Sequence, residues 1–389
     1  MDVVTIAQQL LRFPSVTPSD HGCQQWIADF LQPLGFTIHR LQWHGIDNLY
    51  ARLGNGGRHF CFAGHTDVVP VGDESRWHQP PFAGVVDNGL LVGRGASDMK
   101  GGIAAMMAAV EPFLCRYRDA FQDDFCQHHS LSFLITGDEE GEARYGTCAV
   151  MEWLEQRQER FDYCLVGEPS CIKTLGDSIK NGRRGSYGGR ITIHGLQGHA
   201  AYPHRVNNPI HAALPFLNRL LNHRFDPGNS GFAPTTLQII NVASDSPAGN
   251  VTPATLTIDF NMRFNPQQTP ESMDALLHEL LSDMAQSTGV RYELSTSASS
   301  LPFHTQQSLL LEQLQQAITA ITGHPAALST DGGTSDARFI APFCRQTVEF
   351  GLFNTTIHQV NENCSVADLE LLTAIYQRLL EQMFEVTVP

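Results

Sequence analysis

A small set of residues in this chain has the types and spacing for metal-assisted hydrolysis. "GHTDVVP" puts His65 and Asp67 two positions apart, "GRGASDMKGG" carries Asp98, "TGDEEG" carries Glu139 and Glu140, "LVGEPS" carries Glu168, and "NTTIHQVNE" carries His358. Imidazoles with several carboxylates form a mixed nitrogen and oxygen donor set, which suits Zn2+, and also Co2+ or Mn2+, better than Ca2+ or a thiolate site. A pair of ions needs a bridging group with two oxygens. Asp98 is the candidate, because Gly101 and Gly102 just after it let backbone pass close to a metal centre. Glu139 and Glu140 are adjacent, so on extended backbone their side chains point opposite ways; one is expected to bind metal and the other to take a proton from water. Asp67, on the same side of an extended chain as His65, is expected to accept the imidazole's second N–H and so orient it.

A second group concerns what is bound. Arg183, Arg184, Arg263 and Arg338 all lie in distinctive motifs, in a chain with only 25 Lys and Arg residues. Guanidinium forks pair bidentately with carboxylates, so arginines converging on one cleft favour a substrate with several carboxylates. Thr334 and Ser335, beside the glycines of "STDGGTSDARFIAPF", can add neutral hydrogen bonds.

The elements that must position these groups can be read from the apolar pattern. "HFCFAGHTD", "LSFLITGDEEG" and "DYCLVGEPS" each read as a buried strand that runs out into an acidic loop. Helical spacing in "IAAMMAAVEPFL" and "CAVMEWLEQRQ" between them implies an α/β sheet with helical crossovers, in which ligands sit beyond the carboxyl ends of the strands. From about residue 184 the pattern changes to a βαββαβ order; Leu256, Ile258, Phe260, Met262 and Phe264 alternate with polar neighbours, as in a sheet with one wet face. The expected organisation is a catalytic domain in two parts, 1–183 and 298–389, with a ferredoxin-like α+β insert at 184–297. No repeat or low-complexity tract is present.

Composition narrows the function classes. At 42% hydrophobic and 17% charged residues, with no apolar run long enough to span a bilayer, the chain reads as globular. The start, "MDVVTIAQQLLRFPSV", lacks an export signal and instead shows Val3, Ile6, Leu10 and Leu11 on one helical face. Nine scattered cysteines without a Cys-x-x-Cys pair favour reduced thiols in the cytoplasm. A formal charge of −15 argues against a nucleic-acid partner.

In order and spacing, the five metal-type motifs resemble the co-catalytic zinc deacylases and exopeptidases that include carboxypeptidase G, aminoacylase and acetylornithine deacetylase. The resemblance spans nearly the whole chain. It implies a zinc-exopeptidase-like mixed sheet flanked by helices, with the insert acting as a dimerisation and lid domain. It also implies two Zn2+ per subunit, one held by His65 and Glu168 and the other by Glu140 and His358, with Asp98 bridging and Glu139 as general base. Within that family, "KNGRRGSYGG", "GLQGHAAYPH", "SPAGNVTP", "FNMRFN" and "TDGGTSDARFIA" look most like the bacterial members that hydrolyse N-succinyl-LL-2,6-diaminopimelate. That likeness implies a homodimer in which His199 reaches the partner's site to support an oxyanion, with Asn250 as a substrate contact. "FGLFNTTIH" departs from the Gly-Pro-type turn of many relatives, which puts Leu352 and Phe353 where His358 is presented.

Overall fold

The structure is a computed structural model that describes residues 1–121 and 125–386. The principal strands, in chain order, are β1 (Thr37–Trp43), β2 (Ile46–Leu53), β3 (His59–His65), β4 (Ser130–Thr136), β5 (Phe161–Val166), β6 (Ser178–Lys180), β7 (Gly185–His194), β8 (Thr236–Ser244), β9 (Thr255–Phe264), β10 (Arg291–Ser300), β11 (Ala327–Ser329) and β12 (Cys344–Glu349). The principal helices are α1 (Val3–Leu11), α2 (Cys23–Leu31), α3 (Lys100–Phe121), α4 (Thr147–Glu155), α5 (Pro209–Leu221), α6 (Pro270–Thr288), α7 (Leu309–Thr322) and α8 (Val366–Met383).

The chain divides into two compact units. One comprises Met1–Gly182, His304–Ser329 and Ser335–Pro389; the other comprises Arg183–Phe303 and Thr330–Thr334. The second unit thus runs past the expected limit at 297, because β10 continues pairing with β7 as far as Ser300, opposite Ser186.

The first unit is built on an eight-stranded mixed sheet in the order β1-β2-β4-β3-β5-β12-β6-β11. Its centre, β4, β3, β5 and β12, is parallel. Every residue of β3 and β4 is buried, which is why both read as continuous apolar runs rather than alternating ones. In the sheet β3 lies between β4 and β5 and runs parallel to both, so the loops leaving all three strands open on the same edge of the sheet. Helices α1, α3, α7 and α8 bury Ile6, Leu10, Ile103, Val110, Leu314, Leu372 and Tyr376 in one core with Phe60, Phe62 and Phe133 of the sheet. Asp2 caps α1 by accepting from the Thr5 amide, and Val3, Ile6, Leu10 and Leu11 face inward as their spacing requires.

The second unit is a four-stranded antiparallel sheet, β8-β9-β7-β10. Residues of β9 alternate strictly between buried and half-exposed, with Leu256, Ile258, Phe260, Met262 and Phe264 meeting Phe216 and Leu220 of α5 and Leu277 and Leu281 of α6. Helix α6 opens on a Thr269–Ser272 capping box with Pro270 at its first position, and ends on Gly289 at φ 73°, a left-handed cap that a glycine adopts without strain.

Candidate metal centre

His65 is the last residue of β3, Glu139 and Glu140 follow β4, and Glu168 follows β5. Asp98 precedes α3, which starts at Lys100, and His358 lies in the long loop after β12. The sheet therefore brings all five expected ligands together from five separate segments. The Asp98 carboxylate sits between the histidines, with Oδ1 3.4 Å from His65 Nε2 and Oδ2 3.3 Å from His358 Nε2. Glu168 approaches His65 Nε2 at 3.7 Å, and Glu140 lies 2.9 Å from His358 Nε2. The donor atoms of His65, Asp98 and Glu140 lie within 4.8 Å of one another, close enough to share an ion.

Whether a cation fits can be judged from the buried atoms. His65 Nε2 and Asp98 Oδ1 are buried without a hydrogen-bond partner, although such groups are almost always satisfied. His65 Nδ1 lies 2.9 Å from the Asp67 carbonyl oxygen, so this nitrogen carries the proton and Nε2 offers a lone pair. Burial works against ionisation of Asp98, but the neighbouring His358 and His65 side chains outweigh it and hold the carboxyl below its usual range. Burial also pushes Glu168 well up, reinforced by the nearby charges of Asp98 and Glu139. His358, hydrogen-bonded first to Asp98 and then to Glu140, is raised to about 10. Acidic groups crowded around two imidazoles form a negative cluster that a divalent cation neutralises, and the donor set fits such an ion.

Glu139 stands apart from these contacts. Its carboxyl is pushed up to about 8 by burial, with Asp336, Glu140 and Asp98 adding repulsion and His65 partly countering it. Desolvation of this kind is how proteins prepare a carboxylate to accept a proton near neutral pH.

Three expectations need correction. Asp67 orients His65 through its backbone carbonyl; its carboxylate, 3.5 Å from the imidazole, instead accepts from the amides of Glu139 at 3.2 Å and Glu140 at 3.0 Å. Glu139 and Glu140 lie in a turn rather than on extended backbone, because Asp138 adopts φ 70° and its carboxylate caps the amides of Glu142, Arg144 and Tyr145, each at 2.9 Å. Gly101 and Gly102 admit neighbouring loops rather than an ion: a Cβ on Gly101 would stand 2.3 Å from the Ala96 carbonyl oxygen, and one on Gly102 2.7 Å from that of Gly167. Leu352 is fully buried, and the Phe353 carbonyl accepts from Ser97 Oγ at 2.5 Å, so this segment is anchored to the Asp98 loop.

Of the expected substrate contacts, Ser335 and Arg338 lie in the same unit as the metal ligands. The Ser335 hydroxyl is buried and already donates to Glu349, which leaves Thr334 the freer donor of the pair. Arg338 lies over the Phe339 ring at 4.5 Å with its Nε buried and unpaired, as is Arg184 Nε in the second unit. That unit also holds Arg183, His199, Asn250, Arg263 and Thr334. His199 is exposed and pairs with Val251, while the Ala200 amide donates to the Asn250 carbonyl, so the His199 and Asn250 segments lie side by side. Arg183 donates to the Asp331 carbonyl at 3.0 Å, and a Cβ on Gly332, which sits at φ 108°, would meet the Arg183 guanidinium at 2.5 Å. The conformation and the space both demand glycine there. Asp336, buried and bonded by the Thr147 hydroxyl at 2.6 Å, was not singled out as a neighbour of Glu139. Its motif, "TSDARF", was the available signal.

The fold and this centre define a metal-dependent hydrolase class: the sequence model described as "Peptidase family M20/M25/M40" matches residues 61–382, and the chain belongs to that family. Two proteins named succinyl-diaminopimelate desuccinylase are similar over nearly full length. That of Magnetococcus marinus is 53% identical, covering 99% of each chain, and that of Hydrogenovibrio crunogenus is 48% identical, covering 97% of this chain and 98% of its own. Among solved structures, an M20 family metallo-carboxypeptidase from Sulfolobus solfataricus shares the fold at a TM-score of 0.76 and 17% identity, covering 98% of this chain and 99% of its own. A Bacillus subtilis protein described as a dinuclear metal binding peptidase of the M20 family gives a TM-score of 0.74 at 14% identity, covering 99% of this chain and 98% of its own. Among the described residues no helix is long and apolar enough to cross a membrane, and all nine cysteines are free thiols.

Proposed function

We propose that this chain is a dinuclear zinc amidohydrolase that cleaves N-succinyl-LL-2,6-diaminopimelate to succinate and LL-2,6-diaminopimelate. The observation that carries the chemistry is the Asp98 carboxylate, with one oxygen toward each of two histidines. The substrate is supported by relatives up to 53% identical that bear the desuccinylase name. His65 and Glu168 would hold one ion and Glu140 and His358 the other, with the Asp98 carboxylate placed between the two histidines to serve both. Divalent ions bound there supply Lewis acidity toward water and an acyl carbonyl; zinc suits the donors, and Co2+ or Mn2+ can substitute.

The chain's own residues do the rest. A Glu139 carboxylate oxygen takes the proton of the attacking water and returns it to the leaving amine nitrogen; burial moves its proton affinity toward neutral pH, where one carboxyl can serve as both base and acid. Asp67 steadies that base by holding the Glu139 and Glu140 amides. Arg183, Arg184, Arg263 and Arg338 pair with the substrate's carboxylates, while Asn250, Thr334 and the lone pairs of Ser335 contribute neutral hydrogen bonds. His199 supports the developing oxyanion from the partner subunit of a homodimer. Edge strand β8, with Ile240 65% and Val242 53% exposed, supports pairing with a second copy through the inserted domain, which also serves as a lid. Nine free thiols support a cytoplasmic setting.

The test is steady-state hydrolysis of N-succinyl-LL-diaminopimelate beside N-acetylornithine, using chelator-stripped and zinc-reconstituted protein. A metal-restored preference for the succinyl substrate is expected. Preference for N-acetylornithine would overturn the substrate assignment, and bound zinc without hydrolysis of any N-acyl amino acid would point to a binding protein instead.

A further inference from the structure

Two buried charges lie behind the ligands and belong to none of the roles above. Arg94 is 2% and Glu362 0% exposed, and they pair at 2.8 Å. Burying such a pair is costly unless further hydrogen bonds offset it; Arg94 Nε has none, and the contacts made by the other atoms carry the information. Glu362 Oε1 accepts from two successive amides, Ser97 and Asp98, each at 3.0 Å. Arg94 donates to the carbonyl oxygens of Gln359 at 3.0 Å, Pro70 at 3.3 Å and His358 at 3.4 Å. The pair thus grips the backbone of Asp98 and of His358, and it touches the loop that follows His65 and Asp67.

The His358 loop needs such a grip. His358 and Asn361 both adopt the left-handed region, at φ 61° and 62°, which non-glycine residues keep only where their surroundings enforce it. A one-residue relaxation there would swing the imidazole away from the Asp98 oxygen that it faces.

We propose that the Arg94–Glu362 pair is the positioning device of the Asp98–His358 half of the metal centre, setting the affinity of the ion held there. The inference rests on the metal-centre reading above. The pair touches no substrate; it acts through the ligands, in the manner of outer-shell partners whose loss lowers metal affinity or activity by about 10- to 100-fold.

The test is zinc affinity of the full-length protein, measured by competition with a chromogenic chelator, for wild type, Glu362→Gln and Arg94→Lys. Arg52→Gln is the control, since it breaks the remote Arg52–Glu159 ion pair of the same unit. The expected result is a 10- to 100-fold weaker site in Glu362→Gln and Arg94→Lys, with activity recovering as zinc is raised, and wild-type affinity in Arg52→Gln. Wild-type affinity in both pair variants overturns the inference, as does equal weakening in the control, which would make the effect one of stability alone. Should Glu362→Gln fail to fold, Arg94→Lys decides by the same criterion, because it retains the charge but not the fork that reaches several carbonyls. Wild-type protein that binds no zinc overturns the metal reading and this inference together; tight wild-type binding with undiminished variants overturns this inference alone.

Discussion

Replacing Asp67 with asparagine separates two accounts of that residue. If its carboxylate oriented the His65 imidazole, the substitution would disturb a ligand and weaken metal binding. The structure gives the imidazole proton to the Asp67 carbonyl oxygen, which the substitution leaves intact. The carboxylate serves the amides of Glu139 and Glu140, at 3.2 and 3.0 Å, in a site only 3% exposed. Asparagine keeps one acceptor oxygen and turns its NH2 toward the other N–H. One charge-assisted hydrogen bond, worth about 1.5–3 kcal/mol, is lost. If that loss falls mainly on the placement of the base in the transition state, kcat/KM drops by roughly 10- to 150-fold, at about 1.4 kcal/mol per decade. The assay pairs steady-state hydrolysis with metal content by mass spectrometry on the same preparation. The expected result is lower kcat with metal retained; wild-type kcat, or a loss explained entirely by missing metal, would refute the reasoning.

Other perturbations have equally definite outcomes. Gly102→Ala drives a Cβ to 2.7 Å from the Gly167 carbonyl oxygen, and should destabilise the fold by about 1–3 kcal/mol in urea unfolding. His59 has its pKa held down to about 3 by burial and by the Arg52 charge, with Nδ1 bonded to the Arg160 carbonyl oxygen at 3.0 Å and Nε2 to the Ser132 hydroxyl at 2.9 Å. It is therefore neutral in the fold but takes up a proton on unfolding below about 6.5, so stability should fall as pH drops from that value toward 3, by up to about 1.4 kcal/mol per pH unit from this group. His59→Gln should flatten that slope in urea midpoints measured between neutral pH and mild acid. Zinc at a hundred times its dissociation constant should stabilise the stripped protein by about 2.7 kcal/mol, measurable as a raised melting temperature.

The parts of this molecule that were legible from sequence are those where burial dictates pattern. β3, β4 and β5 are buried nearly throughout and so read as apolar runs, and the acids just beyond them fall at the carboxyl edge of the parallel strands. β9 alternates because one of its faces packs on α5 and α6. Less legible were features set by a single backbone angle or a distant partner. The Glu139–Glu140 turn depends on Asp138 at φ 70° and on a carboxylate 72 residues away in sequence from Glu139. Ser335 reads from sequence as available to a ligand, but its hydroxyl donates to Glu349 at the end of β12. The edge hairpin of β1 and β2 turns through His44 and Gly45, both at positive φ, a two-residue turn whose "HG" signal lay unread between its strands. Arg94 and Glu362 lay inside the quoted motifs, but only their buried contacts reveal what they hold.

The most direct measurement is made on Glu139→Gln: metal content and turnover on one preparation. The account predicts that both ions stay bound while kcat falls by at least about 10^2-fold, the loss expected of a positioned general base. Loss of an ion would make Glu139 a ligand, and near-normal turnover would remove the proton transfer assigned to it; either result contradicts the central claim.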